Sequence, residues 1–192
     1  MYSQWVLPLS AAVLLALIYA VKHSRLFNLF DHELHHLLVR RHDGFGWQII
    51  AFICDPKLVV VWTVLLASYY IKNDQFMTGF WILGTLGITD AIGIVMKKSI
   101  RRKRPNEHLT LDAGYSFPSG HVLSSTILML ILLQLFGAKF GWVFGGAIIA
   151  IWLMVIISRL SLKAHYPSDV IGAASLAIFC FSLSNQVLLV IH

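Results

Sequence analysis

The chain has 192 residues, 58% of them hydrophobic and only 12% charged, with a mean hydropathy of +0.76. A soluble domain of this length cannot cover so much apolar surface, so the composition excludes an ordinary water-soluble globule and predicts an integral membrane protein. The net charge of +6 does not point to nucleic acid, because the basic residues stand in short clusters between apolar runs and lack an interleaved polar surface.

At roughly 20 residues per crossing, the length accommodates about six spans with short connections, organised as one domain over residues 1–192. The first apolar run covers residues 5–21; it has no basic stretch before it and no small-residue cleavage site after it, and is read as a retained span. Residues 22–47 mix histidines with Leu26, Phe30, Leu34, Leu37 and Leu38, a spacing that predicts a helix lying at the membrane surface. A second span runs from about 58 to 71, reaching back towards Ile49 across a break at Asp55-Pro56. After the polar turn KNDQ come a third span over about 76–96, a strongly basic loop, and a fourth span over about 120–136. The turn GAKFG separates this from a fifth over about 142–158, and a sixth occupies about 170–191. The expected fold class is all-α: a six-transmembrane-helix bundle with an interfacial helix between spans one and two, since lipid forces backbone polar groups to pair within each span. Cys54 and Cys180 both fall in apolar runs and make no metal or redox spacing.

Most of the unusual polarity falls at the ends of spans three, four, five and six, on one side. Lys97 and Arg104 bracket six residues before Pro105; Pro118 to His121 reads PSGH; Ser158-Arg159 is followed by His165 and then Asp169. These residue types suit an anion with several oxygens. Arg104 and Arg159 offer planar forks and Lys97 a point charge. A helix starting at PSG would aim backbone N–H groups of Ser119 and Gly120 at the same anion. His165 is placed to attack phosphorus with Asp169 fixing its tautomer, and His121 to protonate the departing oxygen. Three cations would stabilise the transferring group, so neither a metal nor another cofactor is called for.

The pattern resembles the type-2 phosphatidic-acid phosphatase superfamily of integral membrane lipid phosphatases, whose motifs are K-x6-R-P, P-S-G-H and S-R-x5-H-x3-D. The chain matches every motif position with KKSIRRKRP (97–105), PSGH (118–121) and SRLSLKAHYPSD (158–169). The resemblance implies a six-helix membrane bundle. Phosphate would be held by Lys97, Arg104, Ser119, Gly120 and Arg159, with a phosphohistidine on His165, His121 as general acid and Asp169 supporting His165. It further implies a phosphorylated membrane lipid as partner and a metal-free reaction. Phosphatidic acid, phosphatidylglycerol phosphate and an undecaprenyl-type pyrophosphate all share the phosphate that the motifs read. Soluble relatives use a similar pocket for vanadate-dependent halide oxidation, but so apolar a chain points to lipids. The competing class is an anionic-lipid transporter or binding protein using the same basic pocket; the sequence carries no sign of oligomeric state.

Three features stand outside the motifs. Residues 32–36, HELHH, match H-E-x-x-H, the zinc-protease signature with His32 and His36 as ligands and Glu33 as base; His23, His42 or Asp43 would have to supply a third ligand at an unfamiliar spacing. The bland alternative is a surface helix with His32, His35 and His36 in the headgroup layer. Asp90 is an acid inside span three, either orienting the basic cluster or pairing with another span. Finally, the resemblance implies a site on the extracytoplasmic face. Yet of the fifteen Lys and Arg only Lys72 and Lys139 fall on the opposite side, and the positive-inside rule alone would place the site in the cytoplasm.

Overall fold

The computed structural model describes residues 5–39, 45–105 and 114–191, and among these residues it is helical with no strand. Helix α1, Val6–His23, has Lys22 and His23 in its last turn, where cations meet the negative end of the helix dipole. It stops at Ser24, whose backbone is extended (φ −106°, ψ 108°). The same residue opens α2, Arg25–Leu38, its hydroxyl accepting the Phe27 N–H at 3.1 Å. The Asn28 amide laces this one-residue corner by donating to the carbonyls of Val21 and Ser24, each at 2.9 Å.

Helix α2 exposes Leu26, Leu29, Phe30, Leu37 and Leu38 and buries Asp31 and His35. Its polar face packs on the protein and its apolar face points away, the inverse of a surface helix in water. The surface segment expected over 22–47 is not one helix. It ends at Leu38, and residues 45–47 already belong to α3, Phe45–Ile53, because Phe45, Trp47 and Ile49 continue the apolar run of the next span. Helix α4, Pro56–Lys72, follows at a 42° bend. The break is local chemistry: the Asp55 side chain accepts the Lys57 N–H at 2.9 Å, and Pro56 sits in the first turn, where a missing N–H is harmless.

Helix α5, Phe76–Ile100, ends at Arg101 in the left-handed region (φ 54°), which turns the chain back over the bundle end. Helix α6, Gly120–Ser161, contains one non-helical residue, Gly141 (φ 71°, ψ −165°). This backbone geometry suits glycine, and it folds the two arms against each other. The Trp152 indole N–H donates to Thr126 Oγ1 at 2.8 Å across the arms, although 26 residues separate them. The turn expected over GAKFG is therefore helical through residue 140 and reverses at its last residue. Helix α7, Pro167–Ile191, packs against α1, α5 and α6, and its Val170, Ala173, Leu176, Ala177 and Phe181 form much of the buried core.

By length and apolarity α1, α5, α6 and α7 (over Pro167–Leu189) can cross a membrane, and the bent α3–α4 pair makes five when counted as one span. The expected count of six differs because the fourth and fifth spans join in α6. Large apolar side chains such as Leu15, Leu65, Ile88, Val95 and Trp142 stay exposed, as a protein solvated by lipid permits.

Gly172 matters for the site. A Cβ there would stand 2.5 Å from the Phe117 ring, which is fully buried just before Pro118. With no room for the ring to retreat, overpacking costs about 1–3 kcal/mol. Gly172→Ala should lower the thermal unfolding midpoint in detergent and displace the PSGH segment; circular dichroism melting checks it.

Candidate active site

A cavity of about 670 Å³ opens at one end of the bundle, and Lys97, Arg104, Gly120, His121, Arg159 and His165 all line it. Six of the eight residues expected from the motifs thus meet in one space. The other two, Ser119 and Asp169, are fully buried. Each is delivered by a helix end. Lys97 is in the last turn of α5, Gly120 and His121 in the first turn of α6, and Arg159 in the last turn of α6. Lys163, left-handed at φ 52°, reverses the chain so that His165 turns back into the cavity before α7 begins.

His165 is only 2% exposed. Its Nδ1 is 2.9 Å from the Ser116 carbonyl oxygen, which can only accept, so Nδ1 carries the proton and Nε2 presents its lone pair. Asp169 Oδ2 is further from Nδ1, at 3.7 Å. The tautomer expected to depend on Asp169 is therefore set first by a backbone carbonyl, with the carboxylate beside it as a charge. Sequence spacing cannot reveal this, because a carbonyl has no residue signature. Burial pushes the His165 imidazole down to about 4, with Arg104 and Lys97 acting in the same direction and Asp169 against it, so the ring is neutral at neutral pH.

Arg104 Nη1 lies 3.4 Å from His165 Nε2 and 3.1 Å from the Ala164 carbonyl, while its Nε donates to the Gly114 carbonyl at 3.0 Å. The guanidinium is thus held rigidly beside the imidazole. At Gly120, a Cβ would come within 3.5 Å of Lys97 Nζ, so the missing side chain keeps the space beside the lysine open. The Ser119 N–H is not free for an anion: it donates to the Asp169 carbonyl at 3.2 Å. Its hydroxyl, however, is buried without a partner, as is Nη2 of Arg159. Among the described residues just four buried side-chain polar atoms lack a partner, and two of them belong to the expected anion ligands.

Arg102 was not singled out by the motifs, yet it organises the site from behind. Its Nη1 donates to Asp169 Oδ1 at 2.8 Å and to Ser168 Oγ at 2.6 Å. Its Nη2 donates to Asp31 Oδ2 at 2.7 Å and to Asn28 Oδ1 at 3.1 Å. The guanidinium also lies over the Tyr166 ring, 4.2 Å from its centroid. Asp31 Oδ1 in turn accepts the Ser168 N–H at 3.1 Å, capping the start of α7 from α2. The available signal was Asn28, Asp31 and His35, three polar residues at a spacing that places them on one face of α2.

Among the described residues HELHH assembles no metal site. The His32 and His36 rings meet edge to face at 4.5 Å, Glu33 is largely exposed beside His32, and His35 is buried against Tyr166. Among the described residues no three His, Cys, Asp or Glu side chains come together as metal donors; His42 and Asp43 lie outside those residues. Burial, then His36 and His32, hold His35 below its ordinary range. Asp90 accepts from Ser124 Oγ at 2.9 Å, so it pairs with a polar group on another helix, the second of its two expected roles.

An apolar helical protein with a cationic, histidine-bearing cavity at one end is the class that fold and site define. The profile of the PAP2 superfamily matches residues 78–190, more than half of the chain, and the protein belongs to that superfamily. It is similar to phosphatidylglycerophosphatase B of Haemophilus influenzae, 43% identical over 36% of this chain and 31% of the relative. It is also similar to a decaprenylphosphoryl-5-phosphoribose phosphatase of Mycobacterium tuberculosis, 28% identical over 49% of this chain and 54% of that one. The chain spans between about a third and just over half of the length of these curated relatives. The crystal structure of a transmembrane PAP2-type phosphatidylglycerolphosphate phosphatase from Bacillus subtilis superposes with a TM-score of 0.79 over 98% of both chains at 22% identity, which supports the same fold in an integral membrane protein.

Two outcomes are expected. Arg102→Ala leaves two buried carboxylates without their cation, and about 3–5 kcal/mol of stability should be lost; Asp31→Asn, which keeps an acceptor for Ser168, should lose less. Thermal melts in detergent rank the two. The second concerns pH. The unfolded His165 binds a proton from about pH 6.5 downwards, the folded one only near 4, so its contribution to stability is lost as pH falls across that window. His165→Gln should flatten the pH dependence of the melting midpoint between those values.

Proposed function

We propose that this protein is a membrane phosphatase that hydrolyses a lipid phosphomonoester or pyrophosphate through a phosphohistidine on His165, without a metal. The observation that carries the proposal is the neutral, buried His165, its Nε2 lone pair facing a cavity that also holds Lys97, Arg104 and Arg159. The phosphoryl group lies among those cations, with the unpartnered Ser119 hydroxyl and Arg159 Nη2 available to its oxygens and Gly120 leaving room for it. Nε2 attacks phosphorus, His121 protonates the departing oxygen, and Asp169 offsets the positive charge on the phosphorylated ring.

The chain is one domain crossing the membrane six times, with the two arms of α6 as spans four and five and the bent α3–α4 pair as span two. Helix α2 lies in the interface, its exposed leucines and Phe30 towards lipid. The active site faces away from the cytoplasm. Supporting this against the Lys and Arg distribution, Lys97, Arg104 and Arg159 face the cavity and Arg102 is held by Asp31 and Asp169, so these four do not serve as headgroup anchors. The relatives' names favour phosphatidylglycerol phosphate, or another lipid-linked phosphomonoester, over phosphatidic acid and undecaprenyl-type pyrophosphate.

Purified protein in detergent should release phosphate from at least one of these three lipids in excess EDTA, and His165→Ala should lower that rate by about a thousandfold or more. Release abolished by EDTA would overturn the metal-free mechanism. A His165→Ala protein with full biological activity would instead favour an anionic-lipid transporter.

A further inference from the structure

The break between α3 and α4 brings into the cavity a carboxylate that none of the three motifs contains. Asp55 lines the cavity and, among the described residues that do so, is the one acid beside Lys57, Lys97, Arg104 and Arg159. Its Oδ1 accepts the Lys57 N–H at 2.9 Å, which fixes the side chain and leaves Oδ2 3.6 Å from Nε2 of His121. We propose that Asp55 is the positioning partner of His121, orienting that ring for proton transfer to the leaving oxygen and countering the charge it takes up in the reaction. This rests on the phosphatase function proposed above and adds a residue on the leaving-group side.

The chemistry requires such a partner. As Nε2 of His165 bonds to phosphorus, the ester P–O bond breaks and its electron pair stays on the oxygen. An alkoxide leaves slowly unless it is protonated in the same step. His121 gives that proton and becomes neutral. Water then returns a proton to His121 while its oxygen bonds to phosphorus, and the P–N electron pair goes back to His165. His121 must therefore take up a positive charge in each cycle, although burial, then Arg159, His165, Lys97 and Arg104, push its imidazole down to about 3. Around it stand Lys97 of α5, Arg104 of the following loop, Arg159 of α6 and His165 of the loop before α7. A proton on His121 adds a like charge to that group, and the adjacent carboxylate offsets the repulsion because Coulomb energy grows as distance shrinks.

Asp55 is also the helix cap of α4, and the two roles separate cleanly. Asparagine caps a helix as well as aspartate does, so Asp55→Asn keeps the helix start and removes the charge. The test compares wild type, Asp55→Asn and Asp55→Glu on the fastest of the three lipids, whose leaving group needs a proton, and on p-nitrophenyl phosphate, whose leaving group does not. Asp55→Asn should lower the ratio of lipid to aryl turnover at saturating substrate about tenfold or more, with Asp55→Glu recovering part of it. An unchanged ratio, or equal loss on both substrates, overturns the pairing. A wild-type protein that hydrolyses neither substrate overturns the phosphatase function on which the pairing rests.

Discussion

Arg102 shares its two amino groups between Asp31 and Asp169, and most of the site depends on that arrangement. A guanidinium buried to this degree is tolerable because its charge is matched on both sides and its plane rests on Tyr166. It joins three parts of the chain that are far apart in sequence: the helix after α1, the basic loop after α5, and the start of α7. Asp169 is held from behind by this cation and from its own turn by the Tyr166 N–H at 2.8 Å, so it stands beside His165 without needing to bond to it.

The site therefore has two kinds of positive charge, one behind the cavity and one lining it. Arg102 is internally neutralised and structural. Lys97, Arg104 and Arg159 face open space, and Arg159 keeps one buried amino nitrogen without a partner. A site in which cations outnumber nearby acids is unstable unless an anion is expected there, and this imbalance, more than any single residue, makes an anion the natural occupant. The helix ends concentrate the effect by bringing three basic side chains to one level of the bundle.

Much of this was legible in the sequence, and what was not has a physical reason. Six of the eight motif residues line one cavity, because each lies within a turn or two of a helix end whose position the apolar runs fix. The Asp55-Pro56 break was also visible, since a capping acid before proline is a local signal. Three things were hidden. Ser116 acts through its carbonyl, which any residue possesses. Arg102 and Asp31 meet across 71 residues of chain, and nothing in either neighbourhood names the other. The reversal at Gly141 needs a backbone angle, whereas the sequence offered two glycines in GAKFG and no reason to choose the second.

Ser24 gives the corner between α1 and α2 a mechanical meaning. A one-residue joint, laced by Asn28 to both sides, makes α1 and α2 an L-shaped bracket with almost no slack. Its short arm carries Asp31 into the ion network and its long arm packs along α7, the helix whose first turn carries Asp169. Tilting the short arm would break the Arg102–Asp31 ion contact and strain the α1–α7 packing together. The back wall of the site is thus braced like a gusset, whereas Asp55 lines the cavity at the 42° bend between two helices.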